Sequence, residues 1–348
     1  MRAAGLRGVG VEQVRGEQPD RGVTLADRGE DPGGLARPEA GPAVSGGDGG
    51  SEQARAVRDL PVGLPKLIVS TMASGDVSPY VGASDVTLMY SVVDIAGINQ
   101  ISRAVLGNAA AAIAGMAVSH ATRVPEQDDK PLIGASMFGV TTPAVDAARE
   151  RLEELGYEVL VFHATGSGGR ALEALARSGM LAGVLDLTTT ELADELVGGV
   201  LTAGPDRLTA AGAAGLPQVV SLGALDMVNF GPEATVPASF QDRQFFVHNA
   251  TVTLMRTTAE ENEQLGQIVG SKLAGAKNTV LVIPRGGVSA LDAEGMPFRD
   301  VAADDALFEA VLAAATDVPV IDSPANINDP SLARQAADEL HRLIGEAR

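Results

Sequence analysis

The chain has 348 residues, long enough for two α/β domains and a large buried core. Its 45 Asp and Glu against 26 Lys and Arg give a formal net charge of −19, which repels nucleic-acid phosphates and anionic lipid and argues against a general nucleic-acid binder. The absence of Cys excludes disulfides, thiolate metal sites and cysteine nucleophiles, and the four His residues share no H-x-x-x-H or H-E-x-x-H spacing, which argues against a zinc site.

Residues 1–56 are crowded with Gly, Arg, Glu, Asp and Pro, and up to residue 50 they contain no Ile, Phe, Tyr or Trp. Such a segment buries too little apolar surface to offset its ordering entropy, and it reads as disordered or aberrant. Residues 57–125 form the first ordered region. PKLIVST is a buried strand, SGDVSPYVGASDVT a turn-rich loop, LMYSVVDIAGI a further short strand, and Asn99 to Ser119 one Ala-rich helix. The polar, Pro-bounded run HATRVPEQDDKP marks a domain boundary near residue 126. No apolar run approaches the ~18 residues that span a bilayer, and no signal-peptide segment opens the chain, so a cytoplasmic protein without a membrane partner is expected.

Residues 126–348 alternate strand and helix: strand Leu132 to Gly139, helix Pro143 to Leu155, strand Glu158 to Phe162, helix Arg170 to Arg177, strand Ala182 to Leu187 and helix Glu191 to Val197. Strands follow at Pro217 to Ser221, Gln244 to Val247 and Thr279 to Pro284, and helices at Ala259 to Leu273 and Asp304 to Ala315. Strand Val318 to Asp322 and helix Asp329 to Ile344 close the chain. Hydrophobic residues make up 45% of the chain but aromatics only 3%, so the core must be built from Ala, Val, Leu and Ile. The predicted fold is therefore α/β, with two Rossmann-like doubly wound lobes of mostly parallel strands, the first lobe incomplete.

In open α/β sheets ligands sit beyond the carboxyl ends of strands, so the loops there are the candidates. Strand Glu158 to Phe162 runs into His163-Ala164-Thr165-Gly166-Ser167-Gly168-Gly169 and then a helix, the layout of a phosphate cradle. Glycines admit close approach of an anion, and free N–H groups at a helix start, aided by the helix dipole, hold it. Thr165, Gly166, Ser167, Gly168 and Gly169 are accordingly read as one anion-binding loop for a nucleotide or phosphorylated metabolite. The pattern matches neither G-x-G-x-x-G nor the Walker sequence, and a plain tight connection is its alternative. Thr71, Ser74, Gly75 and Asp76, after the PKLIVST strand, are the facing loop. Thr188 to Glu191, His248 and Asn249 after strand Phe245 to Val247, and Arg285, Gly286, Gly287 and Ser289 add further polar residues to the same expected rim. Thr188 to Glu191 also read as a simple helix N-cap, His163 as a structural histidine, and Asp76 as a turn former. Asp186, in the apolar strand VLDL, needs buried partners. No G-x-S-x-G elbow supports a serine hydrolase.

The runs GLPKLIVSTMASGDVSPYVGASDVTLMYSVVDIAGIN, HATGSGGRALEAL, GVLDLTTTELADELVGGVL, GPDRL, GLPQVVSLGALDMVNFGP, VHNATVTLMRTTAEEN, PRGGVSALDAEGMPF and NINDP, spread over residues 57–348, together resemble the Tm-one-like ATP-binding domain family. That resemblance implies two Rossmann-like subdomains, ATP as the nucleotide ligand, homo-oligomers, and no established reaction. A Mg²⁺ ion would accompany the triphosphate, held by phosphate oxygens and a carboxylate such as Asp76. The family's G-G-S-G-G-T segment is only approximated by Gly46, Gly47, Asp48, Gly49, Gly50 and Ser51, and its upstream G-T-x-D-T-K-type segment is absent, so the front end reads as truncated or frame-disturbed. Two other readings stand beside nucleotide binding. One is an enzyme on a small phosphorylated or carboxylated metabolite, with His163 or Asp186 as acid or base and Arg256 or Arg285 gripping the anion. The other is a partner-binding scaffold whose nucleotide loop is vestigial.

Overall fold

The computed structural model describes residues 10–13, 23–26, 43–45, 50–123 and 129–347. The chain divides into two units, Met1–Gln127 and Asp128–Arg348. Most of the segment 1–56 lies outside the described residues. What is described of it is three short strands and the start of a helix, and the reading of the segment as disordered or aberrant falls mostly on residues outside the described ones.

In the first unit β1 (Gly10–Gln13), β2 (Val23–Ala26) and β3 (Ala43–Ser45) pair antiparallel in sequence. After helix α1 (Gly50–Arg58), strand β4 (Leu67–Ser70) joins β3 in parallel, and after the short helix α2 (Ser78–Val81) strand β5 (Thr87–Tyr90) joins β4 in parallel. Lys66, fully buried just before β4, is held by the carbonyls of Pro61 and Leu64 and by the Asp85 carboxylate. Helix α3 (Gln100–Ala121) starts at a capping box, Asn99 accepting from the Ser102 N–H while the Ser102 hydroxyl accepts from Asn99. It packs Ala109 and Ile113 on Leu67 and Val69 of β4. By length and composition α3 is apolar enough to cross a membrane, the one such helix among the described residues, and most of it is exposed. Arg103 and Asn108 interrupt its alanines and glycines, so no unbroken apolar run of that length marks it in the sequence.

The second unit carries β6 (Leu132–Met137), α4 (Thr142–Glu154), β7 (Glu158–His163), α5 (Ser167–Ser178), β8 (Leu181–Asp186), α6 (Glu191–Val197), α7 (Ala210–Ala213) and β9 (Gln218–Ser221). There follow β10 (Met227–Phe230), β11 (Phe245–Asn249), β12 (Val252–Arg256), α8 (Ala259–Leu273), β13 (Thr279–Pro284), α9 (Val301–Ala314), β14 (Val320–Ser323) and α10 (Pro330–Glu346). Six strands form one parallel sheet in the order β14-β13-β9-β8-β6-β7. The chain starts at β6, steps out to β7, then returns past β6 to β8. The strand order therefore reverses between β6 and β8, the switch point where doubly wound sheets open a crevice.

Alternation along the strands sorts the core. Ile133, Ala135, Leu185, Val219, Val280 and Val282 face α4 and α10, whereas Leu281, Ile283, Val220 and Leu222 face α8 and α9. Val184 meets Leu172 and Ala176 of α5 on that second side, where Gly134 leaves the space Leu172 fills. The α/β fold of parallel strands under helices matches the sequence reading. The region 226–256 does not. Residues Phe245 to Asn249 belong to a separate antiparallel sheet, β10-β12-β11, so His248 and Asn249 are not on the rim of the parallel sheet.

Candidate functional site

At the end of β7 the chain turns through Gly166, whose φ of 83° lies in the left-handed region, and enters α5 at Ser167. A side chain on Gly166 would meet the carbonyl of Thr202, one on Gly168 would collide with the His163 carbonyl, and one on Gly169 with the Glu191 carboxylate. All three glycines are thus required by contacts within the protein. The loop does hold an oxyanion, and it is internal: Glu191 Oε1 accepts the N–H groups of Gly166 at 2.7 Å and Gly169 at 3.1 Å. The remaining first-turn donors, the N–H groups of Ser167 and Gly168, have no partner among the described residues, as helix geometry leaves them. Ser167 is exposed and Gly168 half-buried.

Glu191 is anchored from behind by Arg207. This guanidinium is fully buried and donates through Nε to Glu191 Oε2 at 2.6 Å, through Nη1 and Nη2 to both oxygens of Asp186 at 2.5 and 2.7 Å, and through Nη2 to the Thr188 carbonyl at 3.1 Å. Glu173 lies 3.4 Å from Nη1 and accepts the N–H groups of Leu208 and Ala210, which caps α7. Burial alone would lower the Arg207 pKa, but the charges of Asp186, Glu191 and Glu173 outweigh it and hold the group well above its usual value. Asp186 also accepts from the Ser136 hydroxyl at 2.6 Å, and that hydroxyl accepts from the Thr188 N–H at 2.8 Å. Thr141 and Thr188 hydroxyls meet at 2.7 Å between the ends of β6 and β8. The crevice expected at the switch point is therefore filled by the protein's own hydroxyls and charges, all buried.

Thr165 to Gly169 come together as the sequence suggests, at the exposed end of β7. His163 and Asp186, the acid–base candidates, do not. Val159 and Val161 set the parity of His163 toward the α4 side of the sheet, whereas Asp186 follows Val184 toward the α5 side, on a strand not adjacent to β7. Asp186 is a buried structural carboxylate and His163 is exposed. Arg256 is buried and committed to the Phe298 carbonyl and Asp304, and Arg285 makes a two-pronged pair with Asp322 at 2.6 and 2.7 Å. Neither guanidinium is positioned to grip a ligand.

In the first unit Thr71 to Ser74 form a short 3-10 turn after β4, capped by the Ser70 hydroxyl on the Met72 N–H. Asp76 accepts the Ser78 hydroxyl at 2.7 Å and the Ser78 N–H at 3.0 Å, and these bonds lower its pKa. One carboxylate oxygen thus takes both donors of Ser78, the first residue of α2. Among the described residues no three His, Asp or Glu side chains are grouped to hold a metal ion on their own.

Sequence reasoning missed the Arg207 hub and a second buried cluster of Asp226, Asp292 and Asp304. Charged residues inside otherwise apolar or Gly-rich runs, such as GPDRL and VSALDAEG, were the signal that could have found them.

Two family models match the chain: the N-terminal domain of an uncharacterised protein family, UPF0261, over residues 40–122, and the C-terminal domain of the same family over residues 130–344. A UPF0261 protein of Clostridium tetani is 56% identical over 303 residues, covering 86% of this chain and 74% of its own length. A UPF0261 protein of Rhizobium meliloti is 50% identical over 328 residues, covering 91% of this chain and 81% of its own. The ToMV resistance protein Tm-1(GCR237) of Solanum lycopersicum is 46% identical over 317 residues, which are 89% of this chain but 42% of that protein.

Proposed function

This chain belongs to the UPF0261 family, and on that premise we propose that its second unit binds the phosphate groups of a nucleotide, ATP being the expected one, at the N-terminus of α5. The observation that carries the reading is the two-sided nest of Gly166 to Gly169. Its inner N–H groups already hold a carboxylate, so the loop is shaped for an oxyanion, while the outer N–H groups of Ser167 and Gly168 stay unpaired at the surface. Arg170, exposed in the same turn and steadied by the Thr202 carbonyl at 2.9 Å, adds a positive charge. Three carboxylates around the single Arg207 leave an excess of negative charge behind the loop. The ligand is accordingly expected as its Mg²⁺ complex. Thr71, Ser74, Gly75 and Asp76 of the first unit are the second candidate phosphate loop. A homo-oligomer remains part of the proposal on resemblance alone.

One observation favours the scaffold reading instead: each glycine of the loop is accounted for by a protein contact, so the loop could be a closed connection with no ligand.

Thermal unfolding with and without millimolar Mg-ATP decides between them. A ligand at a hundred times its Kd stabilises the native state by ~2.7 kcal/mol. Ser167→Glu places a carboxylate in the first turn of α5, which favours the helix by ~0.3–1 kcal/mol and repels phosphate. The expected result is a melting shift in the wild type that is lost in Ser167→Glu without loss of basal stability. No shift in the wild type would favour the scaffold. A shift kept in Ser167→Glu but lost in Asp76→Ala would move the phosphates to the first unit.

A further inference from the structure

On the opposite half of the second unit's rim, three carboxylates are buried around two guanidiniums. Asp304, in the first turn of α9, takes Arg256 Nη2 at 2.7 Å on one oxygen and Arg299 on the other. Asp292, in the β13–α9 loop, shares the same two guanidiniums at longer range, its Oδ1 being 3.9 Å from Arg256 Nη2 and 3.5 Å from Arg299 Nη1. Asp226, between β9 and β10, accepts the Ser289 hydroxyl at 2.7 Å through one oxygen, while its Oδ1 has no hydrogen-bond partner. Asp292 Oδ1 also lacks a hydrogen bond, as does the amide nitrogen of Asn262 on α8. Asp226 and Asp292 are fully buried, Asp304 is 1% exposed and Arg256 5%. Three negative groups against two positive ones leave a single uncompensated charge in a place where water cannot screen it.

The same groups tie down the loop 285–300. Asp292 Oδ2 accepts the Val288 N–H at 2.8 Å, the Ser289 hydroxyl accepts the N–H groups of Leu291 and Asp292, and Arg256 Nε holds the Phe298 carbonyl at 2.7 Å. The loop in turn covers the ends of β9 and β6, through Ala224 N–H to the Val288 carbonyl at 2.8 Å and Ala290 N–H to the Val140 carbonyl at 3.0 Å.

We propose that the Asp226–Asp292–Asp304 cluster retains one proton in the folded protein and acts as a pH-sensitive latch, pinning the loop 285–300 to the rim while the proton is bound and loosening it when the proton leaves. The latch is independent of nucleotide binding at α5. Neutralising one carboxylate makes the cluster electrically balanced and supplies the missing donor between Asp292 and its neighbours. Losing the proton restores the buried excess charge, and opening the loop to water is its relief. Burial raises all three carboxyl groups, helped for Asp226 and Asp304 by the charge of Asp292; Asp226 is pushed up to about 7 and Asp304 to about 8. The latch therefore works around neutral to mildly alkaline pH. Other titratable groups near it are taken: Glu261 pairs with Arg243, and Asp300 caps α9.

Hydrogen exchange followed by mass spectrometry on the full chain, from pH 6 to pH 9, tests this. Peptides from 285–300 are compared with the β8 peptide 181–186, which corrects for base catalysis of exchange. Relative protection of 285–300 should fall by up to about tenfold for each pH unit from pH 6 to the point of proton loss and level off above it. In Asp292→Asn the amide oxygen keeps the Val288 N–H, its nitrogen donates to the neighbouring carboxylate, and the pH dependence should disappear. Asp226→Asn should act alike and serves if the first variant folds poorly. Asp194→Asn, at a buried carboxylate outside the cluster, should leave the slope unchanged. Equal relative protection at pH 6 and pH 9 in the wild type, or a wild-type slope surviving in both Asn variants, would overturn the latch.

Discussion

Arg207 has no contact with solvent and satisfies Asp186 and Glu191 through short bonds, so the second unit's glycine loop depends on a side chain that sits far from it in sequence. Replacement by Met keeps the volume and removes the charge. Three buried carboxylates then lack their cation, a loss expected to cost ~3–5 kcal/mol in urea unfolding. Arg207→Lys should fall between, because a single ammonium cannot serve Asp186 with two bonds while also reaching Glu191 and Thr188. A change below ~1 kcal/mol in the Met variant would mean that the carboxylates have other partners. The sequence made the oxyanion-holding character of T-G-S-G-G legible, but not the identity of the oxyanion. Glu191 was read as part of the local cap of α6, and its bonds to Gly166 and Gly169 span 25 and 22 residues. Long-range pairing of one carboxylate leaves no periodic trace in the chain.

Strand–helix alternation was legible at the scale of elements because each strand of the parallel sheet is a short apolar run bounded by turn residues, such as TVLVIP of β13. The β10–β12 pairing was not. Met227–Phe230 follows β9 after only five residues that are themselves buried, so SLGALDMVNF reads as one stretch with no boundary. Helix α5 starts at Ser167 rather than at Arg170, since Gly166 turns the chain at once and two glycines tolerate the first turn. The close contact of α8 and α9 was equally hidden, although its cause is in the sequence as Gly266 and Gly270. A Cβ on Gly266 would stand 2.5 Å from the Leu307 carbonyl oxygen and 2.9 Å from the Val311 nitrogen, backbone atoms that cannot swing aside. Gly266→Ala should therefore destabilise by ~1–3 kcal/mol through overpacking, less the ~1 kcal/mol that Ala gains over Gly in a helix. Gly345→Ala in α10, where nothing lies within 4 Å, should be neutral or stabilising. Equal midpoints for the two variants in urea would show that the helices separate without cost.

At the scale of the whole chain, charge and core are shared unequally between the two units. The buried apolar residues described in the first unit form two small clusters, around Ile68 and around Leu67 and Val69, whereas two clusters of 20 buried residues each hold the second. Unfolding should accordingly begin with the first unit, as a separate and lower transition. The carboxylates raised most by burial all belong to the second unit: Asp194, with lesser help from Glu191, and Asp226 reach about 7, and Asp304, with the aid of Asp292, about 8. In the unfolded chain they titrate near 3.8. Between about 4 and 8 the folded state therefore holds protons that the unfolded state has released, and its stability must fall as pH rises through that window. The net charge of −19, growing with pH, pulls the same way. Lowered carboxylates such as Asp76, Glu154 and Asp329 oppose this only below their unfolded pKa, and they lie at the surface, where their weight is small. Calorimetric scans should show the upper transition higher at pH 5 than at pH 9, by roughly 4–8 °C for a loss of ~2 kcal/mol. The lower transition should move less. An upper transition that rises toward pH 9 would mean that these carboxylates are ionised in the folded protein at neutral pH, compensated by Arg207, Arg256 and Arg299 more completely than their burial implies.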